Sequence, residues 1–196
     1  MSRPVHPIEV ESYRILRERV DLRHLAPLTR AVTERVVHAS ADLSYVTDLV
    51  CAETALAGGL AALRSGAPVV ADVAMVAAGI TGRATVCPVA EAGTAALARQ
   101  AGITRSAAAV RIALDRVGPG AVWVVGCAPT ALTELLALDA RPALVVGLPV
   151  GFVGAAESKA ALRISGLPGI SNRGEKGGSA VAAAALNALL YVEGEE

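Results

Sequence analysis

Residues 121–154 read AVWVVGCAPTALTELLALDARPALVVGLPVGFVG, and this stretch decides the fold class. Two short apolar runs, 121–126 and 143–147, each end in glycine and flank a helical run at 129–138. Continuous apolar runs of this length are typical of strands that are covered on both faces. A strand–helix–strand unit at this spacing predicts a right-handed crossover between parallel strands.

The same alternation continues on both sides of this unit. Further strand candidates are 68–72, 84–89 and 167–172, and further helical runs are 91–101, 104–117, 154–164 and 177–190. The first third of the chain is helical in pattern, with candidates at 8–20, 25–40 and 47–64. We therefore predict one α/β domain over 1–196: three α/β/α layers around a mainly parallel central sheet, with the N-terminal helices packed alongside.

Composition excludes several classes of protein. The chain has 196 residues, of which 54% are hydrophobic and 18% charged, which excludes a disordered chain. A net charge of zero and an aromatic content of 3% argue against a nucleic-acid partner. No apolar stretch approaches the about 20 residues that a membrane-spanning helix needs.

The cysteines, the histidines and the N-terminus bear on location and metal binding. Cys51, Cys87 and Cys127 are far apart and suggest buried thiols rather than disulfides, which favours the cytoplasm. Residues 1–7 lack the apolar segment of a signal peptide. The three histidines have no close spacing, so we expect no metal site.

Three glycine-marked turns follow predicted strands and lead into helices, at 126–130, 147–154 and 172–179. In an open parallel sheet such turns share the carboxyl edge, where ligands bind and helix N-termini attract anions. This predicts a site for a negatively charged ligand, with contacts from Gly126, Thr130, Gly151, Gly154, Gly177 and Gly178. Any α/β domain needs glycine turns to reverse direction, however. An ordinary nucleotide-binding domain is a poorer alternative, because the dinucleotide and P-loop motifs are absent.

His38 and Arg35 are the candidates for chemistry in the helical first third. They are three residues apart near the end of a helical run and therefore share a face. An imidazole can donate and recover a proton near neutral pH, and a guanidinium can hold a carboxylate of the ligand. The simpler interpretation of His38 is a helix-terminal histidine stabilised by the helix dipole.

Arg105 begins a predicted helix, with Thr104 or Ser106 as its cap. A positive charge is unfavourable at the positive end of a helix, so Arg105 fits better beside a bound anion. A solvated surface arginine is the alternative. We include Ser106, the neighbouring hydroxyl, among the candidate ligand contacts.

These motifs resemble, in the same order, those of the precorrin-8X methylmutase family of cobalamin (vitamin B12) biosynthesis, including its cobalt-precorrin-8 counterpart. The resemblance covers about 6–190, and its most specific string is GLPVGFVGAAESK at 147–159. The other matching strings are HAS at 38–40, DVAMV at 72–76, TRSAAA at 104–109, APTAL at 128–132, GGSA at 177–180 and AAALN at 183–187.

The resemblance implies a cofactor-free homodimer that moves a methyl group within a tetrapyrrole, from ring carbon 11 to ring carbon 12. The product is hydrogenobyrinate, or cobyrinate when cobalt is already present. His38 matches the family's catalytic histidine, while Ser12, Arg35, Thr81 and Arg105 match residues that contact the substrate. The alternative is a carrier that holds the corrin intermediate without chemistry.

Overall fold

The structure, a computed structural model, describes residues 6–193. Outside the described residues lie 1–5 and 194–196. The first range contains most of the segment 1–7 that was examined for a signal peptide, and the second is the end of the predicted domain. The helices are α1 (Pro7–Arg19), α2 (Pro27–Ser40), α3 (Tyr45–Asp48), α4 (Glu53–Arg64), α5 (Ala74–Gly79), α6 (Ala92–Ala101), α7 (Arg105–Val117), α8 (Pro129–Ala137), α9 (Ala155–Ile164) and α10 (Ser179–Glu193). None of these described helices is long and apolar enough to cross a membrane.

The strands form one six-stranded sheet in the order β1-β6-β5-β4-β2-β3. They are β1 (Leu49–Cys51), β2 (Val69–Ala71), β3 (Thr85–Val86), β4 (Val122–Val125), β5 (Leu144–Gly147) and β6 (Gly169–Asn172). All neighbours are parallel except β1, which runs antiparallel to β6. The chain leaves β2 towards one side of the sheet and β4 towards the other, so the crevice between their carboxyl ends is the topological switch point.

Alternating side chains of the strands bury two separate apolar layers. On β4, Val122 and Val124 pack in the layer formed with α2, α4, α5 and α10. Trp123 and Val125 pack in the opposite layer, formed with α7, α8 and α9. The predicted α/β/α arrangement is therefore confirmed. At the edge of the first layer, α1 packs against α2 through Leu16.

Three local features differ from the sequence-based expectation. The predicted helix at 47–64 contains β1, because Leu49–Cys51 pairs with distant residues of β6 and tertiary pairing overrides local propensity. The short helix α5 was not predicted. The predicted strand at 84–89 is only Thr85–Val86, since Pro88 has no N–H to donate and begins a 3₁₀ turn.

A glycine pair in α4 tests how closely this helix packs on the sheet. A Cβ at Gly59 would lie 2.6 Å from Leu144 Cδ2, whereas a Cβ at Gly58 would meet nothing within 4 Å. Gly59→Ala is expected to lower the free energy of unfolding by about 1–3 kcal/mol. The control Gly58→Ala is expected to raise it by about 0.5–1 kcal/mol through helix propensity. Urea unfolding of both variants checks this, and a Gly59→Ala protein as stable as wild type would contradict the close packing.

Candidate functional site

The three glycine turns meet at the carboxyl edge of the sheet, as predicted, and together they are called the glycine rim (126–130, 147–154 and 172–179). A Cβ at Gly126 would lie 3.0 Å from the Cα of Ser179, which joins the first turn to the third. A Cβ at Gly154 would lie 3.4 Å from Pro129 Cβ, which joins the second turn to the first. The glycines therefore allow three backbone segments to converge.

The second and third turns are also hydrogen-bonded to each other. The Gly151 N–H donates to the Glu175 carbonyl at 3.1 Å, and the Gly178 N–H donates to the Leu148 carbonyl at 2.9 Å. A Cβ at Gly177 would lie only 2.3 Å from the Leu148 oxygen. Since that neighbour is backbone, which cannot rotate away, residue 177 must be glycine for the two turns to approach this closely.

Asp72 organises the first turn from the end of β2, at the switch point. Its carboxylate is 4% exposed and accepts hydrogen bonds from the N–H groups of Gly126 at 3.1 Å, Cys127 at 2.9 Å and Ala128 at 2.8 Å. Burial raises the pKa of Asp72, and the backbone donors oppose that shift. The N–H donors that the sequence suggested for a ligand anion at Gly126 therefore bind the protein's own carboxylate.

The remaining predicted rim residues surround helix N-termini. Thr104 caps α7 through the Ala107 N–H at 3.1 Å, and its hydroxyl lies 2.8 Å from that of Thr130 at the start of α8. Arg105 and Thr130 are exposed, and Ser106 is half-buried. The residues that precede α8 and α9 supply no side-chain cap, but Asp72 accepts from the Ala128 N–H at the start of α8. The uncapped N-terminus of α9 and the exposed Arg105 guanidinium are therefore the features of the rim that attract anions.

A second group, here called the histidine cluster (Ser12, Tyr13, Arg35 and His38), lies where α1 packs on α2. His38 is half-buried in the last turn of α2, and its Nδ1 lies 3.0 Å from Ser12 Oγ. The Tyr13 ring stacks on the imidazole with centroids 4.5 Å apart and planes 9° apart. When Ser12 donates to Nδ1, the neutral ring carries its proton on Nε2. Within residues 6–193, Nε2 has no protein partner.

Arg35 connects the cluster to α10 and to Thr81. Its Nη1 lies 2.7 Å from Glu9 Oε1 and donates to the Tyr13 hydroxyl at 2.9 Å. Its guanidinium carbon lies 4.4 Å from the centre of the Tyr191 ring, and the Tyr191 hydroxyl lies 3.0 Å from Thr81 Oγ1. Burial raises the pKa of Tyr13, and the bond from Arg35 opposes that shift.

Four residues in or next to the histidine cluster were not identified as site residues from the sequence: Glu9, Tyr13, Asn187 and Tyr191. Asn187 holds the Thr81 segment, accepting from the Thr81 N–H at 3.0 Å and donating to the Gly79 carbonyl at 2.8 Å. The available signal was helical spacing. Glu9 and Tyr13 are four residues apart on α1, as are Asn187 and Tyr191 on α10, so each pair shares a helix face.

The end of α2 connects the histidine cluster to the glycine rim. Lys176, directly before Gly177, lies 3.1 Å from carboxylate oxygens of both Asp42 and Asp48. Asp42 follows His38 by four residues. The imidazole and the rim are therefore linked through one short segment of the chain.

A separate groove of about 470 Å³ lies further along the α1–α2 seam. It is lined by Arg17, Val20, Asp21, Leu22, Arg23, Arg30 and Glu34. Two of its arginines are paired with acids, Arg17 with Glu34 and Arg23 with Asp21. A groove lined in this way is a poor surface for an apolar ring. Across residues 6–193, no group of three His, Cys, Asp or Glu side chains is placed to hold a metal ion.

Comparison with known proteins gives one consistent result. A profile of the precorrin-8X methylmutase family matches residues 7–192. The chain is 42% identical to the precorrin-8X methylmutase of Pseudomonas aeruginosa, covering 91% of each chain. It is 41% identical to the cobalt-precorrin-8 methylmutase of Methanocaldococcus jannaschii, covering 84% of this chain and 80% of that one. A crystal structure of precorrin-8X methylmutase from Thermus thermophilus superposes with a TM-score of 0.87 at 36% identity, covering 97% of this chain and 98% of that one.

Proposed function

Since the chain belongs to the precorrin-8X methylmutase family, and is thus an isomerase of cobalamin biosynthesis, we propose that it moves a methyl group from ring carbon 11 to ring carbon 12 of precorrin-8X or cobalt-precorrin-8. The product is hydrogenobyrinate or cobyrinate. The observation that supports this most directly is the histidine cluster. It combines an oriented imidazole with a guanidinium in a family whose members isomerise this substrate.

His38 is the proton donor in this proposal. The donor is the protonated ring, in which both nitrogens carry a proton: Nδ1–H donates to Ser12 Oγ and Tyr13 holds the plane of the ring. Nε2–H is then left to give its proton to a ring nitrogen of the macrocycle, which leaves His38 as the neutral imidazole. The protonated, electron-poor ring system then undergoes a 1,5-sigmatropic shift, in which the methyl leaves carbon 11 and bonds to carbon 12. The proton returns to Nε2, so the reaction is an isomerisation. A positioned proton donor typically contributes about 10²–10⁴-fold to a rate.

The other predicted site residues bind and orient the substrate. Both bonds that Arg35 makes within the described residues come from Nη1, which leaves Nε and Nη2 for a substrate carboxylate. Thr81 belongs to the same connected group through Tyr191. At the rim, Arg105, Ser106 and Thr130 lie beside helix N-termini that suit the acetate and propionate groups.

The rim also offers apolar surface for the flat macrocycle. Gly151 and Gly154, both with positive φ, flank Phe152 and Val153, which are 95% and 88% exposed. Gly126 and Gly177 keep the neighbouring backbone close without adding side-chain bulk, and Gly178 has a positive φ of 135°. Large exposed apolar side chains next to anion-attracting helix ends match a ligand with an apolar face and a carboxylate periphery.

A visible-spectrum assay tests the proposed function. The protein is mixed at catalytic concentration with precorrin-8X and, separately, with cobalt-precorrin-8. Complete conversion to the corrin product over many turnovers is expected with at least one of them. A spectral change that stops at one equivalent per protein chain would instead indicate a carrier.

We further propose that 1–196 form one domain that works as a homodimer in the cytoplasm. The exposed apolar side chains of Ile8 and Val10 on α1, 73% and 57% exposed, support a contact with a second copy. The free thiols of Cys51, Cys87 and Cys127 support a reducing compartment. Sedimentation velocity at micromolar concentration is expected to give the mass of two chains.

Tyr13 makes two separate contacts in the histidine cluster: its hydroxyl binds Arg35 and its ring stacks on His38. Tyr13→Phe keeps the ring that stacks on His38 but removes the hydroxyl that aligns Arg35, so KM is expected to rise about 3–10-fold with little change in kcat. Tyr13→Leu also removes the stacked ring, so kcat is expected to fall by about 10-fold. Steady-state kinetics of both variants checks this. Equal kcat values for the two variants would show that stacking does not orient the imidazole.

A further inference from the structure

The buried side chain of one lysine of this chain meets the backbone of the other. Sixteen of the 18 basic residues are arginines, and the lysines are Lys159 on α9 and Lys176 in the third rim turn. Lys159 is 0% exposed. Its ammonium donates to the Asn172 side-chain oxygen at 3.0 Å and to the backbone carbonyl of Lys176.

A buried ammonium held by neutral oxygens is costly, and burial lowers the pKa of Lys159 to about 8. Within the described residues Lys159 forms no ion pair. Two carbonyl-type acceptors on one short turn suit a compact ammonium with rotatable donors, and they do not suit the planar fork of arginine. The buried Lys159 ammonium therefore fits the acceptors of the third rim turn, which it holds in place.

The turn held by Lys159 contacts both halves of the proposed site. On one side, the Glu175 carbonyl accepts from Gly151 of the second rim turn. On the other side, the Lys176 ammonium pairs with Asp42 and Asp48 beyond the end of α2. Between His38 and Asp42, Ala41 adopts a left-handed conformation with φ 53°, so this end of α2 is a defined bend.

We propose that Lys159 is a positioning residue for the methyl migration: it fixes the third rim turn (172–179), and through Lys176 it fixes the end of α2 that carries His38 relative to the glycine rim. This inference rests on the proposed function. Lys159 does not touch the substrate. Its effect on the reaction is transmitted by the backbone of the turn and by the ion pairs of Lys176.

The test is steady-state kinetics with precorrin-8X for Lys159→Met, whose side chain fills the same volume without the ammonium. Molecules able to bind substrate are counted by titration with the corrin product, so that loss of folded protein is not mistaken for loss of rate. We expect kcat per competent molecule to fall by about 10-fold or more, because small displacements of a catalytic group are costly. The control Arg141→Met removes an exposed charge that pairs with Asp139 before β5, and it should keep wild-type kinetics.

A double-mutant cycle with Lys176→Met tests whether Lys159 acts on α2 through the ion pairs of Lys176. If both lysines act through the same turn, Lys159→Met/Lys176→Met should lose little more activity than Lys159→Met alone. Losses that multiply independently, or wild-type kcat in Lys159→Met, would overturn the proposal. Should Lys159→Met fail to fold, Lys176→Met alone still tests it, since unchanged kcat in that variant contradicts the route to α2. A wild-type protein that does not turn over either substrate would instead overturn the proposed function.

Discussion

His38→Ala is expected to slow turnover of precorrin-8X or cobalt-precorrin-8 by about 10²–10⁴-fold, which corresponds to roughly 3–5 kcal/mol of barrier. The imidazole is the group in the histidine cluster that can donate and recover a proton, and its Nδ1 is already engaged by Ser12. Removing it leaves Arg35 and the rim to bind substrate, so KM is expected to change by less than about 3-fold. Initial rates from the visible spectrum give both constants.

Two further variants make this result specific. His24→Ala removes an exposed histidine outside the cluster and is expected to keep wild-type rates. Ser12→Ala leaves the imidazole but removes the partner of Nδ1, so an intermediate loss of kcat is expected. Full turnover by His38→Ala would show that the methyl migration needs no proton from this residue.

Asp72→Ala is expected to lower the free energy of unfolding by about 3–5 kcal/mol. The carboxylate is buried and accepts from three successive N–H groups, those of Gly126, Cys127 and Ala128. Alanine leaves all three donors without an acceptor in a place that water reaches poorly. The first rim turn should then lose its position between β4 and α8.

Asp72→Asn is the matched control. It keeps the shape and one acceptor oxygen but turns an amide NH₂ towards the other donors, so a smaller loss of about 1–3 kcal/mol is expected. Chemical denaturation of the three proteins gives the comparison. An Asp72→Ala protein within about 1 kcal/mol of wild type would mean that the turn does not depend on the carboxylate.

The sheet and the rim could be predicted from the sequence because their signals are local. Apolar runs that end in glycine, such as 121–126 and 143–147, mark buried parallel strands, and the carboxyl ends of such strands share an edge. The close contacts of Gly177 with Leu148, and of Gly126 with Ser179, follow from that arrangement. Residue chemistry pointed to His38 and Arg35 only as candidates, with a helix-terminal histidine as the simpler interpretation. The role of Ser12 and the catalytic assignment of His38 came from the family resemblance, and all three roles remain proposals.

The features that were missed depend on contacts between distant segments. β1 is a strand because Leu49 and Cys51 pair with residues of β6. Nothing in the local sequence 47–64 indicates that pairing. Asp72 binds N–H groups of the first turn that lie 54 to 56 residues further along the chain. Lys159 binds the third turn 13 and 17 residues further along, which is also beyond the reach of a local pattern. The sequence shows which residues share a face of α1 and of α10. It does not show which of these faces contact each other, because that depends on how the helices pack.

A crystal structure of the protein with bound corrin product tests the central claim most directly. We expect His38 Nε2 to lie about 2.7–3.2 Å from a ring nitrogen of the macrocycle, with Arg35 on one of its carboxylates. A macrocycle bound with His38 Nε2 well beyond hydrogen-bond distance of every ring nitrogen, and with no water between them, would contradict the account.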